Sequence, residues 1–400
     1  LTIEELKDYK VKDSIKLLRE SKPYLDSLDK KRNKFDWVSP IRGYTYRNSF
    51  KNNTFSYNGP LLQTGFNTVQ GFNSSIGLSY FEQINKKGKW WNAGLNVNYG
   101  FSDEKVRPTF FYTKKWDNFS RPTVTFSGGN TIAQFNEREP IMRLNNTISS
   151  LFYRNNYMKI YEKTFAKVNY SEEVVNGIYL SSSLEYSNRK PLFNTTDYSF
   201  AAQDINGGYT SNNPLDPSDF VNSAFEEHSI ATLKVGATFV FGQKYLSYPN
   251  SKFNIGNEKY PSINLTYTKR FGATNSELNS DVFVTTIRQN INAGNYGALQ
   301  YNIRAGAFLR QKNIAFMDFL QANGNQFSFP LDNQLTSFNL LEYYKFYSND
   351  SYAEAHIEHN FKGFLLGKIP LLNKLNFHLV GGAKTMMMAD KKPYTEFSVG

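Results

Sequence analysis

The sequence has no cysteine in 400 residues, which removes disulfides, thiolate metal ligands and a cysteine nucleophile together. Histidine is scarce: His228, His356, His359 and His378 are the whole supply. No stretch approaches the roughly 18–20 consecutive apolar residues of a membrane-spanning helix. The longer apolar patches, such as Phe316 to Leu320, are short and broken by charge, so a helical inner-membrane bundle is excluded. There is no leader sequence and no Met at Leu1, so the chain reads as a mature or excised portion of a longer protein.

Rings and small polar groups are abundant. Aromatics make up 16% of the chain, with 27 Tyr and 34 Phe, yet the mean hydropathy is -0.54. Such a composition needs an apolar surface and a polar one. The two alternate along the chain: Trp91, Ala93, Leu95, Val97, Tyr99 and Phe101 interleave with Asn92, Gly94, Asn96, Asn98 and Gly100. The same period of two runs through Ala231–Phe241, Ile263–Phe271 and Leu299–Leu309. A barrel strand needs only about 9–11 such residues, which hydropathy scans overlook. Soluble sandwiches also alternate, but their long surface strands usually carry many Lys and Glu. Here the polar face is largely Asn, Ser, Thr and Gly, as in a confined lumen, and Tyr, Trp and Phe near the strand ends suit a membrane-water girdle.

The expected fold is therefore all-β, a transmembrane antiparallel barrel in the cell outer membrane. Candidate strands fall near 72–83, 89–101, 106–116, 121–129, 146–154, 158–170, 176–189, 229–242, 260–271, 280–291, 298–309, 352–361, 375–386 and 394–400. The short last segment and the even-number rule point to about sixteen strands in the complete protein, some of them beyond this sequence. Residues 1–50 are assigned to a helical periplasmic lead-in and 51–400 to the barrel. Thr2 and Glu5 have capping-box spacing, Ile3, Leu6, Ile15 and Leu18 make a loose apolar stripe, and Pro23 divides the helix. Two connections are long, 190–228 and 310–351, and strand counting puts both on the extracellular side. On this reading Trp91, Leu95, Tyr99, Val235, Phe239, Tyr301 and Ile303 face lipid, while Asn96, Asn98, Thr238, Asn302 and Arg304 face the lumen.

Three passages carry a family resemblance: Gly65–Phe81 (GFNTVQGFNSSIGLSYF), Asn155–Leu192 and Tyr352–Ala383. Together they resemble the outer-membrane proteins of Bacteroidota whose barrel follows a carboxypeptidase-regulatory-like domain. That family is distantly similar to the BamA/TamA superfamily of sixteen-stranded assembly and translocation barrels. The resemblance implies that Phe364 to Lys374 is a periplasmic turn and that 310–351 folds back into the lumen. The superfamily's Val-Arg-Gly-Phe/Tyr motif, whose Arg anchors to an acidic wall residue, is missing from this loop; its nearest equivalent is Thr336-Ser337-Phe338-Asn339-Leu340.

Catalytic constellations are weak. His356, Glu358 and His359 suggest zinc, but in a strand His359 points away from the other two, and Glu354, His356 and Glu358 form a hydrated lumen row. There is no Gly-x-Ser-x-Gly elbow, and Gly128-Gly129-Asn130 has no Lys to cradle phosphate. Glu172-Glu173 and Glu226-Glu227 read as turn and loop solvation. No catalytic, metal or cofactor residue is assigned, and the chain is not expected to be an enzyme. The net charge of +11 is scattered among strands and loops, with a mild cluster before residue 50, so nucleic acid is not expected as a partner. The expected partners are outer-membrane lipid and other outer-membrane or periplasmic proteins.

The one functional candidate is the aromatic loop, with Phe327, Phe329, Phe338, Tyr343 and Tyr344 as its lumen or gating residues. Rings at this density lose free energy in water, and Pro330 with Gly324-Asn325 lets the chain double back. The loop is expected to fold inward or cap the pore. Three roles remain open: assembly, insertion or export of outer-membrane or surface proteins; a gated channel or transporter; and a structural subunit of a larger complex.

Overall fold

The computed structural model describes residues 2–201, 207–256, 258–327, 335–370, 372–375 and 377–400. The chain opens with α1 (Ile3–Glu20), α2 (Lys22–Arg32) and the short α3 (Ser39–Arg42). The capping box forms, with Thr2 N donating to Glu5 Oε2 at 2.7 Å and Glu5 N to Thr2 Oγ1 at 3.2 Å. Pro23 sits in the first turn of α2, where its missing N–H costs nothing. Asp29 of α2 ties the segment to the sheet by accepting from Ser49 N and Ser49 Oγ at 2.6 and 2.7 Å.

Strands follow in chain order: β1 (Tyr44–Asn48), β2 (Asn53–Asn58), β3 (Gly65–Asn67), β4 (Gly71–Gln83), β5 (Trp90–Gly100), β6 (Val106–Lys115) and β7 (Thr123–Gln134). After α4 (Arg143–Tyr153) come β8 (Ile160–Val175), β9 (Ile178–Lys190) and β10 (His228–Val240). A hairpin of β11 (Lys244–Tyr248) and β12 (Ser251–Ile255) precedes β13 (Ser262–Phe271), β14 (Ser280–Asn292) and β15 (Ala298–Arg310). A long loop containing the two-residue β16 (Leu320–Gln321) and β17 (Tyr347–Ser348) leads to β18 (Ser351–Asn360), β19 (Val380–Met388) and β20 (Lys391–Val399).

Sixteen of these segments form one antiparallel sheet in the order β1-β2-β4-β5-β6-β7-β8-β9-β10-β13-β14-β15-β18-β19-β20, with β3 also paired to β4. This meander curls round on itself. Arg138, just after β7, meets Glu354 of β18 at 2.8 Å, although the two strands are far apart in the sheet order. Gly129 (φ +133) helps β7 bend, since a Cβ there would lie 2.1 Å from Pro108 O.

Residue faces follow the period of two. Ile76, Leu78, Leu95, Phe110, Val235, Ile303 and Ile357 stand exposed on the outer surface. The alternate positions turn inward, where Asn302, Arg107, Arg189, Arg270, Glu354 and His356 are buried. Apolar outside and charged inside is the reverse of a soluble protein and matches a barrel wall bathed in lipid. Of the residues assigned to faces, Leu95, Val235 and Ile303 are exposed on the outer side, while Asn98 bonds inward to Gln70 and Asn302 to Leu335 O.

The structure corrects the sequence reading in three places. The segment expected as strand 146–154 lies in α4, whose Asn145, Asn146, Ser149 and Ser150 share one buried face; Asn146 Nδ2 donates to Phe66 O at 3.1 Å. Its short mixed pattern fits either period, and the polar face finds partners only as a helix. The strands β1, β2 and β3, before the first expected segment, belong to the sheet. Glu173, read as turn solvation, is buried and organises the β11–β12 hairpin: its carboxylate pairs with Lys252 at 2.7 Å and accepts from Asn254 Nδ2 and Gly177 N.

Candidate functional site: the plugged lumen

The long connections 135–159, 191–227 and 311–350 gather at one end of the barrel, and the turn around Phe364 to Lys374 lies at the other. Connection 191–227 makes a cover. Asn212 Nδ2 donates to Ile160 O and Leu192 O, both at 2.7 Å, and Tyr209 OH donates to Ser150 O at 2.8 Å. Beneath it, Lys159 is buried and donates to Thr210 Oγ1 and Ser211 O, both at 2.6 Å. Burial, with no carboxylate paired to it among the described residues, pushes its ammonium down to about 7.

The loop 311–350 enters the barrel and doubles back on itself through β16 and β17. Its root joins an aromatic cluster in which Phe316 and Met317 pack with Phe135, Tyr161 and Phe225. Its deeper part packs Leu320, Ala322, Phe338 and Leu341 against inward-facing Val282, Tyr352, Met386 and Met388. Full burial of one such ring stabilises the docked loop by about 1.5–3 kcal/mol.

The residues singled out from sequence take different positions. Phe338 is 0% exposed, its ring 4.7 Å from that of His356. Tyr343 packs on Tyr157 at 5.7 Å between ring centres, and Tyr344 OH accepts from Lys159 N at 3.0 Å. Phe327 is half-buried beside Asn325, whose side chain caps its amide at 3.0 Å. Phe329 and Pro330 lie outside the described residues. His359 bonds Tyr296 O at 2.9 Å and is turned away from His356. No group of three or more potential metal ligands occurs among the described residues.

Charges that no sequence motif announces hold the loop in place. Asp318 accepts from Arg189 Nη1 at 2.6 Å and faces Arg270 Nε at 2.8 Å, all three buried. Burial opposes the charge on Asp318, but the two guanidiniums outweigh it and hold the carboxyl below its ordinary range. Glu137 keeps an accessible side chain although barrel wall surrounds it. That enclosure opposes its charge, yet Lys234, Arg270 and Arg304 depress its pKa strongly.

The Thr336–Leu340 stretch is fastened at a second point of the wall. The amides of Asn339 and Leu340 donate to the Glu396 carboxylate of β20, the second at 3.0 Å. Lys384 of β19 donates to Ser337 O at 2.8 Å and Asn339 Oδ1 at 2.6 Å. The available signal for these residues was charge at inward positions of the strand period: Arg189, Lys234, Arg270, Arg304, Lys384 and Glu396 all fall there.

An antiparallel β-barrel with an apolar outer face, a charged lumen and its own loop as a plug is the class this geometry defines. The chain belongs to a family of unknown function, DUF5686, whose C-terminal domain matches residues 38–400. A comparison with curated proteins found no match. Among solved structures it is similar to BamA from Haemophilus ducreyi lacking POTRA domains 1-3, with 11% identity, a TM-score of 0.42, and coverage of 91% of this chain and 64% of that one. It is also similar to CdiB from Acinetobacter baumannii, with 9% identity, a TM-score of 0.37, and coverage of 87% and 51%. The chain thus spans about half to two-thirds of their lengths.

Proposed function

We propose that this chain is a barrel of the cell outer membrane that takes part in the assembly, insertion or export of other outer-membrane or surface proteins, with loop 311–350 closing the lumen at rest. The supporting observation is that loop 311–350 is held in the lumen at two separate points of the wall, Asp318 on Arg189 and Arg270, and the Asn339 and Leu340 amides on Glu396 of β20. A plug held by a few discrete contacts can be released as a unit, and a barrel that opens to pass or insert a client needs such a plug. Its partners are lipid on the outer face and client or periplasmic proteins. The resemblance carried by Gly65–Phe81, Asn155–Leu192 and Tyr352–Ala383 together adds a Bacteroidota source and a preceding carboxypeptidase-regulatory-like domain to this reading. The test is photo-crosslinking from Phe397, an exposed outward residue of β20, in native membranes, followed by isolation. Recovery of nascent outer-membrane chains is expected. Recovery of lipid alone, with a large steady current from the purified protein, would reject the reading.

A gated channel is the second reading. Lumen cavities of about 570 and 230 Å³ beside the plug favour it, because movement of the loop would join them.

A further inference from the structure

We infer that the lumen carries a binding site for a soluble polyvalent oxyanion of the phosphate or pyrophosphate class, formed around Arg270, Arg288 and Arg304. The site is the cavity of about 570 Å³ between the inner faces of β10, β13, β14 and β15 and the plug. Five cationic side chains line it, Arg138, Lys234, Arg270, Arg288 and Arg304, against two carboxylates, Glu137 and Asp318. Including the ion partners just beyond its wall, Glu354 on Arg138 and Arg189 on Asp318, leaves a surplus of three positive charges among the described residues.

The neighbouring cavity of about 230 Å³ is a contrast within the same lumen. Its five cations, Lys163, Lys167, Arg189, Lys234 and Arg270, meet four carboxylates, Glu137, Glu139, Glu185 and Asp318. Charge in that compartment is nearly compensated. Two of the three surplus charges are Arg288 and Arg304, and among the described residues neither makes an ion pair within 4.0 Å. Arg304 instead lies over the Tyr352 ring at 5.7 Å, and Arg288 Nε donates to the neutral Asn302 Oδ1 at 3.1 Å.

Donors are left over as well. Arg304 Nε and Arg270 Nη1 are buried and meet no hydrogen-bond acceptor. Buried guanidinium donors without an acceptor are costly, and guanidinium matches an oxyanion edge with two parallel hydrogen bonds. One multivalent oxyanion would satisfy both the charge and the donors. Arg288 also lines a cavity of about 280 Å³ with Tyr260, Gln289 and Gln300, toward the short-turn end, which supplies a route of entry. The side chain of Arg288 is exposed there.

The experiment is calorimetric titration of inorganic pyrophosphate into the folded detergent-solubilised barrel, with heat-modifiable gel migration as the check on folding. Saturable binding at one site is expected. Arg304→Gln and Arg288→Gln should each weaken it about tenfold, the scale of one charge-assisted contact. Arg304→Lys should weaken it less, and Lys163→Gln, in the compensated cavity, should leave it unchanged. Because Arg288 is exposed, its variant keeps the test decisive if Arg304→Gln fails to fold. A parallel titration with a short-chain phosphatidylglycerol separates a soluble anion from a lipid headgroup, and preference for the lipid would overturn the proposal. Absence of saturable heat, or binding unaltered in both folded Gln variants, would overturn it too.

Discussion

Asp318 of the inward loop and Arg189 of β9 form a buried ion pair at 2.6 Å across 129 residues of chain. With Arg270 on the other side at 2.8 Å, Asp318 is shared by two wall strands and fixes the root of the plug. Removing the carboxylate would leave Arg189 enclosed without its ion pair and Arg270 with only Glu137 at 3.8 Å, and an uncompensated buried charge costs about 3–5 kcal/mol. Asp318→Asn should therefore undock the loop, raising single-channel conductance and exposing Gln311–Gln321 to protease. An equally closed and protected barrel would show that the aromatic cluster alone holds the loop.

Glu396 offers a second, separable anchor. In Glu396→Gln the Asn339 and Leu340 amides lose an anionic acceptor, and Lys384 loses the carboxylate at 4.0 Å. The expected cost is about 1.5–3 kcal/mol, confined to the loop tip. Hydrogen exchange should accelerate at Phe338–Leu341 while β18 and β19 stay protected. Uniform loosening of the three terminal strands would mean that Glu396 stabilises the sheet and not the loop.

Adjacent residues of β10 test the two faces of the wall. Val235 is exposed outward, whereas Lys234 points to Glu137 in the lumen. Val235→Arg should cost about 2–4 kcal/mol near the bilayer midplane, and Lys234→Arg very little. Urea unfolding from lipid vesicles measures both, and equal tolerance would contradict the assignment of faces.

The sheet was legible because its signal is local: an alternation such as Trp91–Phe101 fixes both the strand and its outward side without knowledge of any partner. α4 was misread because a short stretch of Asn, Ser and a few apolar residues fits either period; Phe66 O and neighbouring loops decide it, and they are distant in sequence. β1 and β2 were passed over because they are five and six residues long. At the plug, the aromatic density of 311–350 pointed to a buried loop, and Phe338 is buried. Its ionic anchors were not legible, because Arg189, Arg270 and Asp318 become partners only when the sheet curls. Inward Met386 and Met388 were an available clue, since a hydrated lumen has no use for apolar side chains unless something packs on them.

The cover over the plug should respond to pH through Lys159. Its ammonium is buried beneath residues 210–211 and its pKa is pushed down to about 7, against 10.5 for the ordinary side chain. Between these two values the undocked state binds the extra proton and the docked state does not. Stability of the docked cover must therefore rise with pH from about 7 toward 10, and it levels off below 7, where both states are protonated. Resistance of the 191–227 connection to limited proteolysis, corrected for protease activity with an unfolded reference, should be greater at the alkaline end of that window. Lys159→Met removes the titrating group and should flatten the profile, although Ser211 O then loses its donor and the cover is weaker at every pH. A slope that persists in Lys159→Met would assign the pH response to another group, and a flat profile in the unmodified chain would mean that the ammonium stays charged beneath the cover.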